Sequence, residues 1–528
     1  MMIKNISLSN ILSLFVTVLI VNSCTSNFTE YNTNPNEATE DMTNWDNVKT
    51  GSLLLQIEEN VLVVAQDGIG TDRYQTVEVM GGDGFVGYFG FPSPSINSAG
   101  RYNWQTSSWY GDMFTTNYEK TMNAWKSLRE EINDDSDPRF ALAQILKVAA
   151  MHRVTDTYGP IPYVQFGQSQ EVAYDSQKDV YYRFFEELDS AVTILDSYAA
   201  AGEKLYSSWD CVYNGDIEAW IKFANTLRLR LAMHLAYVDA EKAQQEAEAA
   251  VANSHGLMTD ATDIAELQHI YPIATYESPL YIINSWDDIC MGATLESYMN
   301  GYEDPRRAAF FNTGSEGSYQ GIRAGMASTV SKSNYTTGLF STPNVTATSN
   351  VVWMRASESY FLRAEGALRG WNMDGNAKDF YEQGIEMSFD ENGVSGGDYI
   401  QNTTLIPADY TDPVTTGYSK DALGSITIAW DESASFESNL ERIITQKYIA
   451  LYPVGQEAWT EFRRTGYPKV FPVCVNESNG GCVDTDIQIR RLPYPVDEYN
   501  TNATALEAGI QLLGGADNAG TKLWWDAK

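Results

Sequence analysis

The sequence has 528 residues, 70 acidic against 35 basic, for a formal net charge of -35. That balance excludes electrostatic capture of nucleic-acid backbones or anionic lipid head groups, which the protein repels, and it suits an exported protein that must stay soluble. With 43% hydrophobic residues the chain can bury a large core, and its length corresponds to about three domains' worth of material.

The chain opens Met1-Met2-Ile3-Lys4, runs through an apolar stretch from Ile11 to Val21, and reaches Val21-Asn22-Ser23-Cys24 before turning polar. About 11 apolar residues fall short of the roughly 20 that span a bilayer, so the pattern is that of a signal peptide over residues 1–23 ending in a lipobox. Cys24 is then the expected site of lipidation, and residues 24–47, rich in Asn, Thr and Glu, are expected to form a tether. The alternative is an ordinary secretory signal with a cysteine nearby. Cys474 and Cys482 flank Val-Asn-Glu-Ser-Asn-Gly-Gly, a loop able to close a disulfide in an oxidising compartment. Cys211 and Cys290 stand alone and read as small buried apolar residues.

Residues 48–528 are expected to form a single, mainly α-helical domain. Between Ser176 and Tyr198, the residues Tyr181, Phe184, Phe185, Leu188, Val192 and Leu195 recur every three or four positions, which predicts one apolar helix face. Asp216 is placed to cap the next helix, where Trp220, Ala224, Leu227, Leu231 and Leu235 repeat the pattern. From Ser357 to Phe389 small residues alternate with large ones, as in tetratricopeptide hairpins, where small side chains let two helices approach. Similar pairs are expected over 118–157, 178–236 and 437–464, giving a TPR-like scaffold. Loop-rich regions over 81–116, 256–352 and 391–436 separate them, with short strands such as Ser425–Trp430.

Gly82-Asp83-Gly84-Phe85-Val86-Gly87 has the spacing of a dinucleotide-binding loop and follows a strand-like Thr76–Met80. The chain continues, however, into Phe91-Pro92-Ser93-Pro94, where a helix must receive the pyrophosphate. Gly393-Val394-Ser395-Gly396-Gly397 has nucleophile-elbow spacing but follows a helix instead of a strand. The four histidines, at 152, 234, 255 and 269, form no zinc motif, no EF-hand loop is present, and no pair of carboxylates is singled out as acid and partner. No catalytic residue, metal ligand or cofactor is therefore expected.

A ligand site is expected in Gly81–Phe114, where Tyr88, Phe89, Phe91, Tyr102, Trp104, Trp109, Tyr110 and Phe114 crowd among Gly, Ser and Asn. One reading packs every ring beneath the loop. The other leaves one or two exposed, since sugar rings present C–H faces that stack on flat aromatics while nearby amides bind the hydroxyls. On the second reading Trp104 and Trp109 are the platforms, Tyr102 and Tyr110 supporting rings, Asn103 and Gln105 hydroxyl partners, and Arg101 a further contact.

Several segments, taken in order, resemble the SusD/RagB family of nutrient-binding outer-membrane lipoproteins, in its second branch. They are Tyr31-Asn32-Thr33-Asn34-Pro35-Asn36; Asp156-Thr157-Tyr158-Gly159-Pro160-Ile161-Pro162-Tyr163; the helix Trp220 to Met233; Gly301-Tyr302-Glu303-Asp304-Pro305-Arg306; and Gln446-Lys447-Tyr448-Ile449-Ala450-Leu451. Gly455 to Trp459, Arg463-Arg464-Thr465-Gly466-Tyr467-Pro468, Arg491-Leu492-Pro493-Tyr494-Pro495 and Lys522-Leu523-Trp524-Trp525-Asp526 follow. The resemblance covers nearly the whole mature chain. It implies a SusD-like fold without catalysis and a lipid anchor in the outer membrane at the cell surface. It also implies a glycan or other nutrient as ligand and a SusC-like TonB-dependent transporter as partner. The competing readings are a surface glycoside hydrolase with an unidentified carboxylate pair and a purely structural lipoprotein.

Overall fold

The structure is a computed structural model. It describes residues 47–64, 73–93, 96, 100–103, 109–168, 172–270, 274, 276–336 and 338–528. Cys24, the signal peptide, nearly all of the tether, Trp104 and Gln105 lie outside the described residues. The chain divides into two units, Met1–Lys49 and Thr50–Lys528, and the second is described here.

Its helical half is built from pairs. α1 (Val48–Val61), α2 (Asn123–Ile132), α3 (Pro138–Tyr158), α4 (Gln177–Ala200), α5 (Ile217–His234) and α6 (Ala240–Val251) precede the central loop-rich region. That region carries α7 (Ala293–Gly301). After it come α8 (Ala356–Leu368), α9 (Ala377–Glu391), α10 (Phe436–Leu451), α11 (Gly455–Thr465) and α12 (Ala503–Leu513). Their starts follow from side chains that satisfy free backbone N–H groups. Asp137 accepts from Arg139 N with Pro138 in the first turn, Ser176 from Asp179 N, and Asp216 from Ala219 N, as its position predicted. Each such cap contributes about 1 kcal/mol. α3 ends at Gly159 and α11 at Gly466, both with positive φ, a conformation open to glycine and strained for other residues.

Successive helices α2 to α6 pack on one another, as do α8 with α9 and α10, and α10 with α11. The close approaches occur at small residues. A Cβ on Gly384 of α9 would lie 3.0 Å from the Phe361 ring of α8, and Ala364 between them is fully buried. Replacing Ala364 with tryptophan is expected to destabilise the protein by about 1–3 kcal/mol or more, read as a lower thermal midpoint by circular dichroism. An unchanged midpoint would remove Ala364 from the helix contact.

Two local expectations are corrected. Thr76–Met80 is not a strand but part of a π-helix, Gln75–Asp83. Every residue from Val77 to Asp83 is buried, whereas a half-buried strand alternates, and the segment packs against α11. There a Cβ on Gly82 would lie 2.4 Å from the backbone nitrogen of Gln456, so this glycine of the apparent nucleotide loop serves a helix crossing. Ser425–Trp430 forms no strand either. Its backbone pairs through Ala429 N to Asn402 O, an isolated bond and not a ladder. The described strands are β1 (Phe89–Gly90), β2 (Ala265–Leu267), β3 (Cys290–Met291) and β4 (Val351–Met354), with β1 antiparallel to β3 and β2 to β4.

The segments that carry the family resemblance meet inside the protein. Asp156 accepts hydrogen bonds from the Tyr181 hydroxyl at 2.6 Å and from Trp525 Nε1 at 2.8 Å, and Arg490 pairs with Asp526 at 2.6 Å. Arg230 grips Glu358 through two bonds of 2.8 and 2.5 Å, and Arg464 binds Glu365 and Glu461. Asp304 and Arg306 form a fully buried pair, closed by Tyr399 on Asp304 and by Ser388 of α9 on Arg306. The Asp-Pro-Arg turn thereby locks the loop-rich region to the helices.

Candidate ligand-binding site

The rings of Gly81–Phe114 divide between the two readings. Tyr88, Phe89, Phe91, Tyr102 and Phe114 are buried, whereas Trp109 is 41% exposed. Arg101 is 4% exposed, its Nε lying 2.9 Å from Glu477 and its Nη1 donating to Met326 O. Asn103 donates to the same Glu477 carboxylate, whose backbone N–H in turn donates to Arg101 O. Arg101 and Asn103 therefore clamp the loop to the segment around Glu477, and Tyr102 is buried beside them. Tyr110 is half-buried, and its carbonyl accepts the Tyr158 hydroxyl. Burial, then the nearby Asp517 carboxylate, pushes the Tyr110 phenol up.

Trp109 opens a short turn, Trp109–Gly111, that leads into Asp112. Gly111 sits so close to Pro495 that a Cβ would approach it to 2.9 Å, which seats the turn. Asp112 then accepts from Arg73 and, at 2.7 Å, from the Thr76 hydroxyl. On the other side of the same Arg73–Thr76 segment, Gln75 donates to Asp288 at 3.2 Å. Lys332 bonds both Asp288, at 2.9 Å, and the carbonyl of Trp286, at 3.0 Å. Trp286 is 39% exposed and follows the short helix Pro279–Ser285, on which Tyr281 is 40% exposed. One polar strip thus runs from the Trp109 turn to Trp286. Among the described residues these are the two exposed tryptophans.

Sequence reasoning missed Trp286 and Tyr281, which lie in a region marked only by its loop composition. The available signal was Asn284-Ser285-Trp286-Asp287-Asp288, a polar turn sequence around one large aromatic. Asp287 there takes a positive φ of 55°. Chemically the strip offers flat indole faces with donors and acceptors beside them. Two of its carboxylates, Asp112 and Asp288, are each committed to a cation and to a second side-chain donor, and Asp287 is exposed.

Other polar clusters close on themselves. A cleft of about 290 Å³ is lined by Trp125, Lys147, Tyr163 and Glu187, among others. Lys147 there pairs with Glu187 at 2.8 Å and sits 4.0 Å above the Trp125 ring, and Tyr163 donates to Glu187. His234, Glu457 and Glu461 approach metal-ligand spacing. Lys447, at 3.4 and 3.6 Å from the two carboxylates, and Arg230, at 3.5 Å from Glu457, already supply the positive charge. Cys474 and Cys482 are both free, against the expected disulfide. Cys474 pairs through its backbone N–H with Ala324, while the Cys482 carbonyl packs against Gly520, so the two ends of the loop are held by different neighbours.

Comparison with known proteins agrees with this architecture. The structure is similar to that of a chitin-binding SusD homolog from Flavobacterium johnsoniae, at 40% sequence identity and a TM-score of 0.85, covering 90% of this chain and 98% of that one. It is similar to a SusD homolog from Bacteroides thetaiotaomicron at 40% identity and a TM-score of 0.84, covering 91% and 99%. A third, from Bacteroides vulgatus, shows 35% identity and a TM-score of 0.84, covering 91% and 98%. No curated protein matches the sequence. Among the described residues no helix is long and apolar enough to cross a membrane. Residues 30–526 match the family model for SusD and RagB outer membrane lipoproteins, and the chain belongs to this SusD-like family.

Proposed function

We propose that this protein is a non-catalytic, glycan-binding lipoprotein, anchored through Cys24 in the outer membrane and exposed at the cell surface. It holds an oligosaccharide against Trp109 and Trp286 and passes it to a SusC-like TonB-dependent transporter. The observation that carries the reading is the pair of exposed indoles joined by a strip of hydrogen-bonding side chains. Large aromatic surface left in water at two places beside fixed polar groups suits the alternating C–H and hydroxyl faces of a sugar chain. A similar protein of 40% identity is described as chitin-binding, which makes chito-oligosaccharides the first ligands to try. Among the described residues of the strip there is no free carboxylate pair, which disfavours the hydrolase reading, since it needs an acid and a partner about 5–10 Å apart across one bond.

The test is calorimetric titration with a panel of soluble oligosaccharides that includes chitohexaose. Trp109→Ala and Trp286→Ala are each expected to weaken binding at least about tenfold, which is about 1.4 kcal/mol. As surface substitutions they are expected to change stability by no more than about 0.5 kcal/mol. The reading is lost if no oligosaccharide binds, or if both variants bind as the unaltered protein does.

A further inference from the structure

Both cations of the strip between the tryptophans are matched by carboxylates, and the strip's remaining charge is Asp287, exposed beside Trp286. Arg73 pairs with Asp112, and Lys332 pairs with Asp288 at 2.9 Å. All four oxygens of the two carboxylates are engaged: Asp112 by Arg73 and the Thr76 hydroxyl, Asp288 by Lys332 and the Gln75 amide. Lys332 also donates to the Trp286 carbonyl. Both cations are only partly exposed, with side-chain accessibilities of 37% and 38%. They lie on a protein with a net charge of -35.

We infer that this face selects uncharged oligosaccharides, and that the pairs Arg73–Asp112 and Lys332–Asp288 are what make it selective. The inference rests on the glycan-binding reading above and adds the chemical class of the ligand. An oligosaccharide carrying carboxylates or sulfates needs a cation whose charge is not already spent. Among the described residues of the strip there is none, and the surrounding acidic surface repels such a chain. A chain of free amino sugars feels the opposite long-range field but meets at the strip only the exposed Asp287 carboxylate, because both oxygens of Asp112 and of Asp288 are engaged. Its attraction is diffuse and is screened by salt within about 8 Å at physiological ionic strength. A neutral chain has no charge to match. It gains from stacking on the indoles and from hydrogen bonds to the remaining donors and acceptors, and its binding is indifferent to salt. Exposed ion pairs are weak in themselves, about 0–1 kcal/mol. Their part here is therefore to cancel charge at the site, not to stabilise the fold.

The inference is tested with three probes of similar length: chitohexaose, a fully deacetylated chitosan hexamer and a galacturonic acid hexamer. Each is titrated at low and at near-physiological salt into the unaltered protein and into Asp112→Asn and Asp288→Asn. The unaltered protein is expected to bind chitohexaose equally at both salt concentrations. It is expected to bind the galacturonate at least about tenfold more weakly, and any binding of the amino-sugar hexamer should disappear at the higher salt. Removing either carboxylate frees one cation, so both variants are expected to gain at least about tenfold for the galacturonate at low salt and to lose that gain at high salt. Equal or tighter binding of the galacturonate by the unaltered protein overturns the inference, as does salt-resistant binding of the amino-sugar hexamer or the absence of any gain in both variants. These outcomes leave the glycan-binding reading standing. Failure of all three probes in all three proteins removes this inference, and the glycan-binding reading falls with it when the rest of the oligosaccharide panel fails as well.

Discussion

Replacing Arg464 with leucine is expected to lower the free energy of unfolding by about 3–5 kcal/mol, the cost of stranding a buried charge. Arg464 is fully buried and binds Glu365 at 2.7 and 2.6 Å and Glu461 at 2.6 Å. Removing it leaves Glu365 with Arg369 alone and Glu461 with Lys447 at 3.6 Å. Burial by itself would push the Glu365 carboxyl up, but Arg464 and then Arg369 outweigh it and hold the group down to about 2. A carboxyl depressed in the folded state stabilises the protein above its unfolded value of 4.5. That contribution is lost as the pH falls toward about 2. The variant should therefore be less stable at neutral pH and lose less on acidification. Urea titrations at several pH values measure both effects, and a variant as stable as the parent at pH 7 would show that Arg464 is not the centre of this network.

A rise in pH is expected to destabilise the loop-rich region through Glu296, on α7. Desolvation raises this carboxyl most. The backbone N–H of Gly321 and the amide of Asn300 oppose the rise and Asp412 adds to it, leaving the group at about 8. Asp412 is itself buried and takes hydroxyl bonds from Tyr335 and Tyr410, so ionised Glu296 would face a carboxylate and two phenols. A folded value above the ordinary 4.5 means that its stabilising contribution is complete below pH 4.5 and is lost as the pH rises through about 8. For a buried group the shift amounts to several kcal/mol in order of magnitude. Glu58 and Asp83, raised chiefly by burial, act in the same direction. Glu296→Gln is expected to flatten the fall in thermal midpoint between pH 6 and pH 9 without removing it. Parallel melting profiles for the two proteins would exclude Glu296 as a source of the pH dependence.

The helical half was legible because its signals are local. A cap such as Asp216 acts three residues away, and an apolar stripe recurs within one turn, so the pairs over 178–236 and 357–389 could be read from the chain. Thr76–Met80 was not legible because its β-branched residues suit a strand, whereas contact with α11, more than 370 residues on in the sequence at Asp83 and Gly455 (372), decides for a helix. The ligand loop shows the same limit. Its aromatic density pointed to Trp109, which is exposed, but also to Arg101 and Asn103, which are held by Glu477, separated from Asn103 by 374 positions. Trp286 escaped notice because its place beside the strip depends on Gln75 and Asp288, 213 residues apart. Local chemistry names which residues can stack on a sugar, and distant partners decide which of them remain available.

Trp525 and Asp526 close the interior from the far end of the chain. The Trp525 bond to Asp156 spans 369 residues, and Asp526 neutralises Arg490, whose guanidinium also reaches the Arg463 carbonyl. Before those two residues are available, Asp156 lacks the Trp525 donor and Arg490 lacks its carboxylate, and a core with uncompensated charge is disfavoured. Contacts so distant in sequence also form late, because the entropy of closing the loop must be met before they contribute. Completion of the scaffold therefore waits for the whole polypeptide to be made, and a chain emerging N-terminus first stays unlocked while it travels. For the exported lipoprotein proposed above, that delay keeps the chain threadable until its destination is reached.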